Sequence, residues 1–327
     1  DNFKKGVPPI FEPGLEETIK AYSDNLEYST SEKCLQNKDY IFVTHDLEVD
    51  RDDVPQMDIM DRIFSLLQKN ASSETVIVIS SQIPVGTSRN LVKMMKKGGN
   101  KKPKVIYFPE NLRLGNGFAT FLTPDRIILG SDDRAIMDQF EKDFAFPCPV
   151  ITMGLESAEM VKHALNTYLA TCISLSSELS DLAEKVGANM ADVVKALKLD
   201  KRVSPSAPLN PGLGFGGGTL GRDIQSLRKI ARGLKYEPKM LDAIHQVNRD
   251  RLPMLVSKIR SVLPDLKGKT IGILGLTYKP NTDTLRRSMS LELADLLHAE
   301  GCKVKAYDPA IKTKAEGYEY IEIAKTV

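Results

Sequence analysis

The sequence predicts an α/β protein with three parts: a parallel-sheet domain, a central all-helical domain and a second α/β unit. Three observations carry this expectation. Short apolar runs alternate with helical patterns as far as Phe144. The stretch from Ser157 to Val186 then holds neither proline nor glycine. From Thr270 a hydrophobic run restarts the strand grammar.

The elements follow in order. Asp39–Thr44 is short, apolar and rich in β-branched and aromatic residues, as a strand should be. Met57, Met60, Ile63, Phe64 and Leu67 recur at helical spacing. Thr75–Ser80 reads as a buried strand stopped by Pro84 and Gly86, and Thr87–Met95 as a helix. Lys104–Phe108 is a further strand ending at Pro109; Arg126–Gly130 follows, then a helix over Asp132–Phe144. Strands apolar on both sides, separated by helices, indicate a parallel sheet covered on both faces.

From Ser157 the apolar residues repeat at helical spacing up to Gly187, which predicts one long helix. Its apolar face is broad enough to serve more than one partner and points to a dimer core. Helices are expected at Met190–Leu197, at Asp223–Gly233 and from Pro238 towards Val262. The last α/β unit comprises a strand at Thr270–Leu276, a helix at Ser290–Glu300 and a strand at Lys303–Tyr307. The residues after Asp308-Pro309 are too few to complete a sheet. Domain boundaries are expected at 1–152, 153–252 and 253–327.

Composition excludes several classes. Lys plus Arg is 45 and Asp plus Glu is 43, a net charge of +2, which disfavours a nucleic-acid binder. No apolar run approaches the ~18 residues of a membrane span, and Asp1–Gly6 lacks the apolar core of a signal peptide. Cys34, Cys148, Cys172 and Cys302 are scattered, with no C-x-x-C pair and no histidines at zinc-ligand spacing, so no metal site is expected. A reduced, cytoplasmic protein is the simplest reading. Cys172, in an apolar helical stretch, reads as a buried structural thiol.

Four stretches could carry chemistry. Pro211–Thr219 holds five glycines, whose backbone can approach a ligand closely and aim several N–H groups at it. A flexible interdomain loop is the alternative, but Pro211 and Phe215 favour an ordered turn. Asp223 follows at a helix start. Lys162 and Asn166, four apart, project from one face of the long helix and need a cleft, unless they form a solvated stripe. Glu110 follows a strand end, where open α/β sheets bind ligands; it is a candidate acid or base, or an ordinary loop carboxylate. Ser80–Gly86 occupies the equivalent end of another strand. The G-x-G-x-x-G fingerprint of dinucleotide binding is not in this sequence: Gly272-Ile273-Leu274-Gly275 comes late, and Lys279-Pro280 breaks any helix after it.

In this order, Pro9–Leu15, Ile83–Thr87, Pro109–Arg113, Lys162-x-x-x-Asn166, Gly214–Gly217 and Gly275–Pro280 resemble the UDP-glucose/GDP-mannose dehydrogenase family. The resemblance implies an NAD-binding Rossmann domain, a helical dimerisation domain and a nucleotide-sugar-binding Rossmann-like domain. It implies that the chain begins inside the first domain and stops before the last strands of the third. It also implies a cytoplasmic homodimer, NAD as cofactor, a nucleotide sugar as substrate and a place in polysaccharide biosynthesis.

By position, the resemblance makes Glu110 the acid/base glutamate. Lys162 and Asn166 become the pair that holds the sugar, and Asp223 helps position water. Asn111, Leu112, Arg113, Asn210, Leu213, Gly214, Phe215 and Gly216 would wrap the substrate. Tyr278 and Lys279 would meet the nucleotide sugar, and Arg202 would reach the neighbouring subunit's sugar. Val43, Thr44, Ser81, Gln82, Leu114 and Arg286 would face NAD.

The departures from the family pattern matter as much. The family oxidises an alcohol twice through a cysteine that traps the aldehyde as a thiohemiacetal. Here that position holds Thr219, a far weaker nucleophile at neutral pH. Gln82 replaces a threonine, Leu114 a second glutamate and Gly221 a proline. A chain limited to one two-electron step is therefore expected. A non-catalytic nucleotide-sugar-binding protein and a β-hydroxyacid dehydrogenase relative remain as alternatives; the long glycine loop and the third α/β unit disfavour the latter.

Overall fold

The computed structural model describes residues 8, 12–50, 54–109, 112, 116–280, 282–313 and 316–326. The chain divides into two compact units, the break falling between Lys162 and His163.

The first unit is built on a five-stranded sheet in the order β1 (Tyr40–Val43), β2 (Val76–Ile79), β3 (Lys104–Tyr107), β4 (Ile127–Gly130) and β5 (Val150–Met153). Helices α1 (Leu15–Ala21), α2 (Asp58–Asn70), α3 (Thr87–Lys97), α4 (Gly117–Leu122) and α5 (Arg134–Phe144) fall between or before the strands. Alternate strand residues turn to opposite layers. Ile77, Ile79, Val105 and Tyr107 pack with α2 and α3 residues such as Met60, Phe64 and Leu91. Val78, Ile106 and Phe108 pack with Ile136, Met137 and Phe140 of α5. Burial on both faces is what makes these strands apolar throughout.

β1, β2 and β3 run parallel, as do β4 and β5. The sheet departs from an all-parallel one where β3 meets β4, antiparallel, through the single pair Tyr107↔Gly130. The one described helix of that connection, α4, has six residues and is about 9 Å long, shorter than the ~13 Å of a four-residue strand. It does not carry the chain back along the strand, as a parallel return requires. β5, Val150-Ile151-Thr152-Met153, is a short apolar β-branched run outside the strands expected from the sequence; it is an edge strand and only partly buried.

The long helix, α6, spans Leu155–Val186. Its buried side is mixed rather than purely apolar: Leu155, Ala158, Ala170, Cys172 and Ala183 are buried together with polar residues. Glu159, Lys162, His163, Asn166, Ser174, Ser176 and Ser177 are buried, whereas Tyr168, Leu175, Leu182 and Val186 are 52%, 52%, 54% and 78% exposed.

The second unit continues with α7 (Met190–Leu199), α8 (Leu220–Gly233) and α9 (Lys239–Val262). Cys172 is buried with Met190, Val194, Ala207 and Leu209, as a structural thiol should be. β6 (Thr270–Leu274) and β7 (Lys303–Tyr307) pair in parallel around α10 (Met289–Ala299). A two-residue strand, β8 (Glu322–Ile323), adds to β7, so the last residues do extend this sheet. Val256 of α9 joins Leu291, Ala294 and Leu297 of α10 in its core.

Candidate active site

Polar groups buried in a helix require partners, and Asp223 supplies them for His163 and Asn166 of α6. It lies in the first turn of α8 and is fully buried. Asn166 Nδ2 donates to its Oδ2 at 2.5 Å, and His163 Nδ1 lies 2.9 Å from its Oδ1. These contacts give each oxygen of the buried carboxylate a partner. Lys162, one turn before Asn166, is also buried, which sets aside the solvated-stripe reading. His163 had escaped the sequence reading. Its signal was present: a histidine three residues before Asn166 shares that residue's helix face.

The glycine-rich loop is ordered by close packing. Phe215 is buried with Ala170, Ile224 and Ile244 and anchors the turn, whereas Pro211 is exposed. Gly217 N–H donates to Arg287 O at 2.8 Å. A Cβ added at Gly216 would lie 2.5 Å from that carbonyl; one at Gly217, where φ is +73°, would lie 3.1 Å from the Tyr278 ring. The Arg286 guanidinium lies against Gly218. Leu213 and Gly214 are half-buried; Thr219, at the N-cap of α8, is exposed and makes no side-chain cap bond.

Tyr278 and Lys279 follow β6. The Lys279 Nζ stands 5.6 Å from the Tyr278 ring centroid, and burial pushes the Tyr278 phenol up. Asp308, at the end of β7, accepts N–H groups from Leu276 (2.7 Å), Thr277 (3.0 Å) and Ala310 (2.9 Å). Burial works to raise its carboxyl, but those donors outweigh it and hold the group below the usual range. The turn leading to Tyr278 is thereby fixed from the neighbouring strand.

In the first unit, Val43, Ser81 and Gln82 are buried and Thr44 is exposed, all at the carboxyl ends of β1 and β2. Ser81 Oγ donates to Val43 O at 3.2 Å. The following helix start is already occupied. Glu159 accepts Gly86 N–H at 2.5 Å and Ser88 N–H at 2.8 Å, capping α3. Burial pushes the Glu159 carboxyl up despite these two donors.

Other expected site residues stand apart. Arg202 is exposed and forks onto Asp200 at 2.7 and 2.9 Å; this holds the Asp200 carboxyl at about 2. Asn210 and Leu112 are exposed. Glu110, Asn111, Arg113 and Leu114 lie outside the described residues. Among the described residues, no group of three or more His, Cys, Asp or Glu could hold a metal, and no helix is long and apolar enough to cross a membrane.

Three family models match the chain in order. They are the NAD binding domain of the UDP-glucose/GDP-mannose dehydrogenase family (residues 1–145), its central domain (156–250) and its UDP binding domain (272–327). A UDP-glucose 6-dehydrogenase of Bacillus subtilis, YwqF, is 35% identical over 323 residues, covering 97% of this chain and 73% of that protein. The chain belongs to the UDP-glucose/GDP-mannose dehydrogenase family.

A UDP-glucose 6-dehydrogenase of Rickettsia conorii is also 35% identical, over 317 residues, covering 93% of this chain and 72% of that protein. Among solved structures, a UDP-glucose dehydrogenase of Pyrobaculum islandicum superposes with a TM-score of 0.91 at 28% identity, covering 99% of this chain and 78% of that one. The family's NAD binding domain makes NAD the cofactor. Ser81 and Gln82 place buried polar groups at the carboxyl ends of parallel strands, where open α/β sheets bind ligands, which fits a dinucleotide. The N-terminus of α3 is not a place for its pyrophosphate, because Glu159 already fills it.

Proposed function

We propose that the protein oxidises the C6 alcohol of a UDP-linked sugar with NAD and stops at the aldehyde, after one two-electron step. The observation that carries this reading is Thr219. It stands at the N-cap of α8, at the position where the family resemblance implies a cysteine, and the loop holds no cysteine. The UDP binding domain match and the UDP-glucose 6-dehydrogenases among the relatives favour a UDP-sugar.

The chain's own residues divide the work. Lys162 and Asn166 hold the sugar hydroxyl and stabilise the oxyanion that develops as its proton leaves. Asp223 keeps the Asn166 amide turned so that Oδ1 and the second Nδ2 hydrogen remain for the sugar. NAD supplies the hydride acceptor when bound. Leu213–Gly216, Tyr278 and Lys279 hold the nucleotide sugar, with Asn210 and Leu112 at the rim. Glu110 acts as the acid/base with Asn111 and Arg113 beside it, and Arg286 and Leu114 face the cofactor. A threonine hydroxyl does not trap the aldehyde as a thiolate would, so the second oxidation has no covalent route.

The exposed apolar stripe of α6 supports a homodimer through the central region, with Arg202 reaching the partner's sugar. The division into 1–152, 153–252 and 253–327, a cytoplasmic location and a role in polysaccharide biosynthesis complete the reading. The test is to incubate the protein with UDP-glucose and NAD and to identify products by mass spectrometry. One NADH per sugar with an aldehyde is expected; two NADH with a uronic acid overturns the two-electron limit. Binding without NADH would favour a non-catalytic binder. In the variant T219C, acid formation is expected if the rest of the site is intact.

A further inference from the structure

One face of α9 grips the glycine-rich loop at two points. Phe215 N–H donates to Asn248 Oδ1 at 2.8 Å, and Asn248 Nδ2 donates back to Phe215 O at 3.0 Å. Three residues on, Arg251 Nε donates to Gly212 O at 2.7 Å. Residues three apart share a helix face, so both grips come from the same side. Arg251 is itself fixed: it is buried, and its Nη1 meets both carboxylate oxygens of Asp181 at 2.9 Å. Gly214 lies between the two held points with φ at +101°, and a Cβ there would come within 2.6 Å of Asn248 Oδ1. With Asn248 in place, position 214 therefore has no room for a side chain.

We propose that Asn248 is a positioning residue for substrate binding, pinning the loop backbone with Arg251 so that Leu213–Gly216 meet the ligand in one register. The inference rests on the reading of this loop as the nucleotide-sugar contact. Burial of the Phe215 ring settles where that residue sits. It leaves open which way its N–H and carbonyl point, and a primary amide decides that, because it offers one donor and one acceptor in a plane. The amide does for Phe215 what a neighbouring strand would do.

The experiment is hydrogen exchange and calorimetric titration with UDP-glucose on the 327-residue chain and its variants N248A and N248D. N248A removes both bonds. N248D keeps the shape and the acceptor but sets an oxygen against Phe215 O. Exchange over residues 212–218 is expected to quicken about tenfold or more in N248A while α8 and α9 stay protected. The UDP-glucose Kd should rise about tenfold or more, with N248D between N248A and wild type and NAD affinity unchanged. Wild-type exchange over 212–218 in a folded N248A, or in N248D if N248A does not fold, overturns the clamp. Failure of the wild type to bind UDP-glucose instead overturns the functional reading, and the exchange result still decides the clamp.

Discussion

Replacing Gly216 with alanine probes whether the loop is locked against the chain after β6 or merely rests there. A Cβ at 216 would stand 2.5 Å from Arg287 O and 3.0 Å from Met289 Cγ, against an ordinary separation of about 3.5 Å or more. The shortfall is about 1 Å, and the nearest obstacle is backbone. Moving it would strain or break the 2.8 Å bond from Gly217 N–H to that same carbonyl. Overpacking of this kind costs about 1–3 kcal/mol, and the lost hydrogen bond about 1 kcal/mol more. Gly212 is the internal control, because nothing lies within 4 Å of its added Cβ. Neither glycine has a positive φ, so backbone strain does not separate them. G212A should be neutral or stabilising by ~0.4–1 kcal/mol through loss of unfolded-state freedom. Thermal unfolding should place G216A below wild type by about 2–4 °C for each kcal/mol lost, with UDP-glucose binding weakened. Equal melting temperatures for G216A and G212A would refute the packing account of the loop.

Three further outcomes are expected. E159Q sets an amide nitrogen against one of the two N–H donors at Gly86 and Ser88, and should cost about 1–3 kcal/mol in urea unfolding; unchanged stability would remove Glu159 as the cap of α3. H163L takes one donor from the buried Asp223 and should cost about 1.5–3 kcal/mol, whereas H163N, which can still donate near the Nδ1 position, should recover part of it; equal losses would show that the bond is not what matters. Burial works to raise the Asp181 carboxyl, but bonds from Lys258 and Arg251 outweigh it and hold the group below 3.8. A depressed carboxyl stabilises the fold above its unfolded value and loses that contribution as pH falls through the folded one. The stability gap between wild type and D181N should therefore narrow from pH ~7 to pH ~3, and a gap independent of pH would contradict the linkage.

Much of the architecture was legible because strand and helix patterns are local. The run Val76–Ile79 is apolar on both sides because both faces of its sheet are covered, and the proline- and glycine-free stretch after Ser157 does form one helix. β5 and the antiparallel meeting of β3 with β4 were not legible. β5 is only a four-residue run with no helix pattern of its own beside it until α6, and strand direction depends on how a connection crosses the sheet rather than on the strand's own residues. In the candidate site, Lys162, Asn166, Asp223 and the glycine run stood out by residue type and spacing. His163, Asn248, Arg251 and Glu159 did not, because each acts through a partner distant in sequence.

By itself, then, the sequence determined most of the element order, the family and the residue types placed at the carboxyl ends of strands and on α6. Periodicity and motif spacing are properties of neighbouring residues, and neighbours are visible in a sequence. Tertiary structure alone decided which residues of α6 turn inward: Glu159, Lys162, His163 and Asn166 are buried along with Ala158, Ala170 and Cys172, while Tyr168, Leu175 and Leu182 stay exposed. It also decided that Asp223 gathers His163 and Asn166, that Glu159 caps α3 and that Asn248 holds Phe215. A buried polar group is stable only when its donors and acceptors are matched, and the matching groups here lie 33 to 73 residues apart.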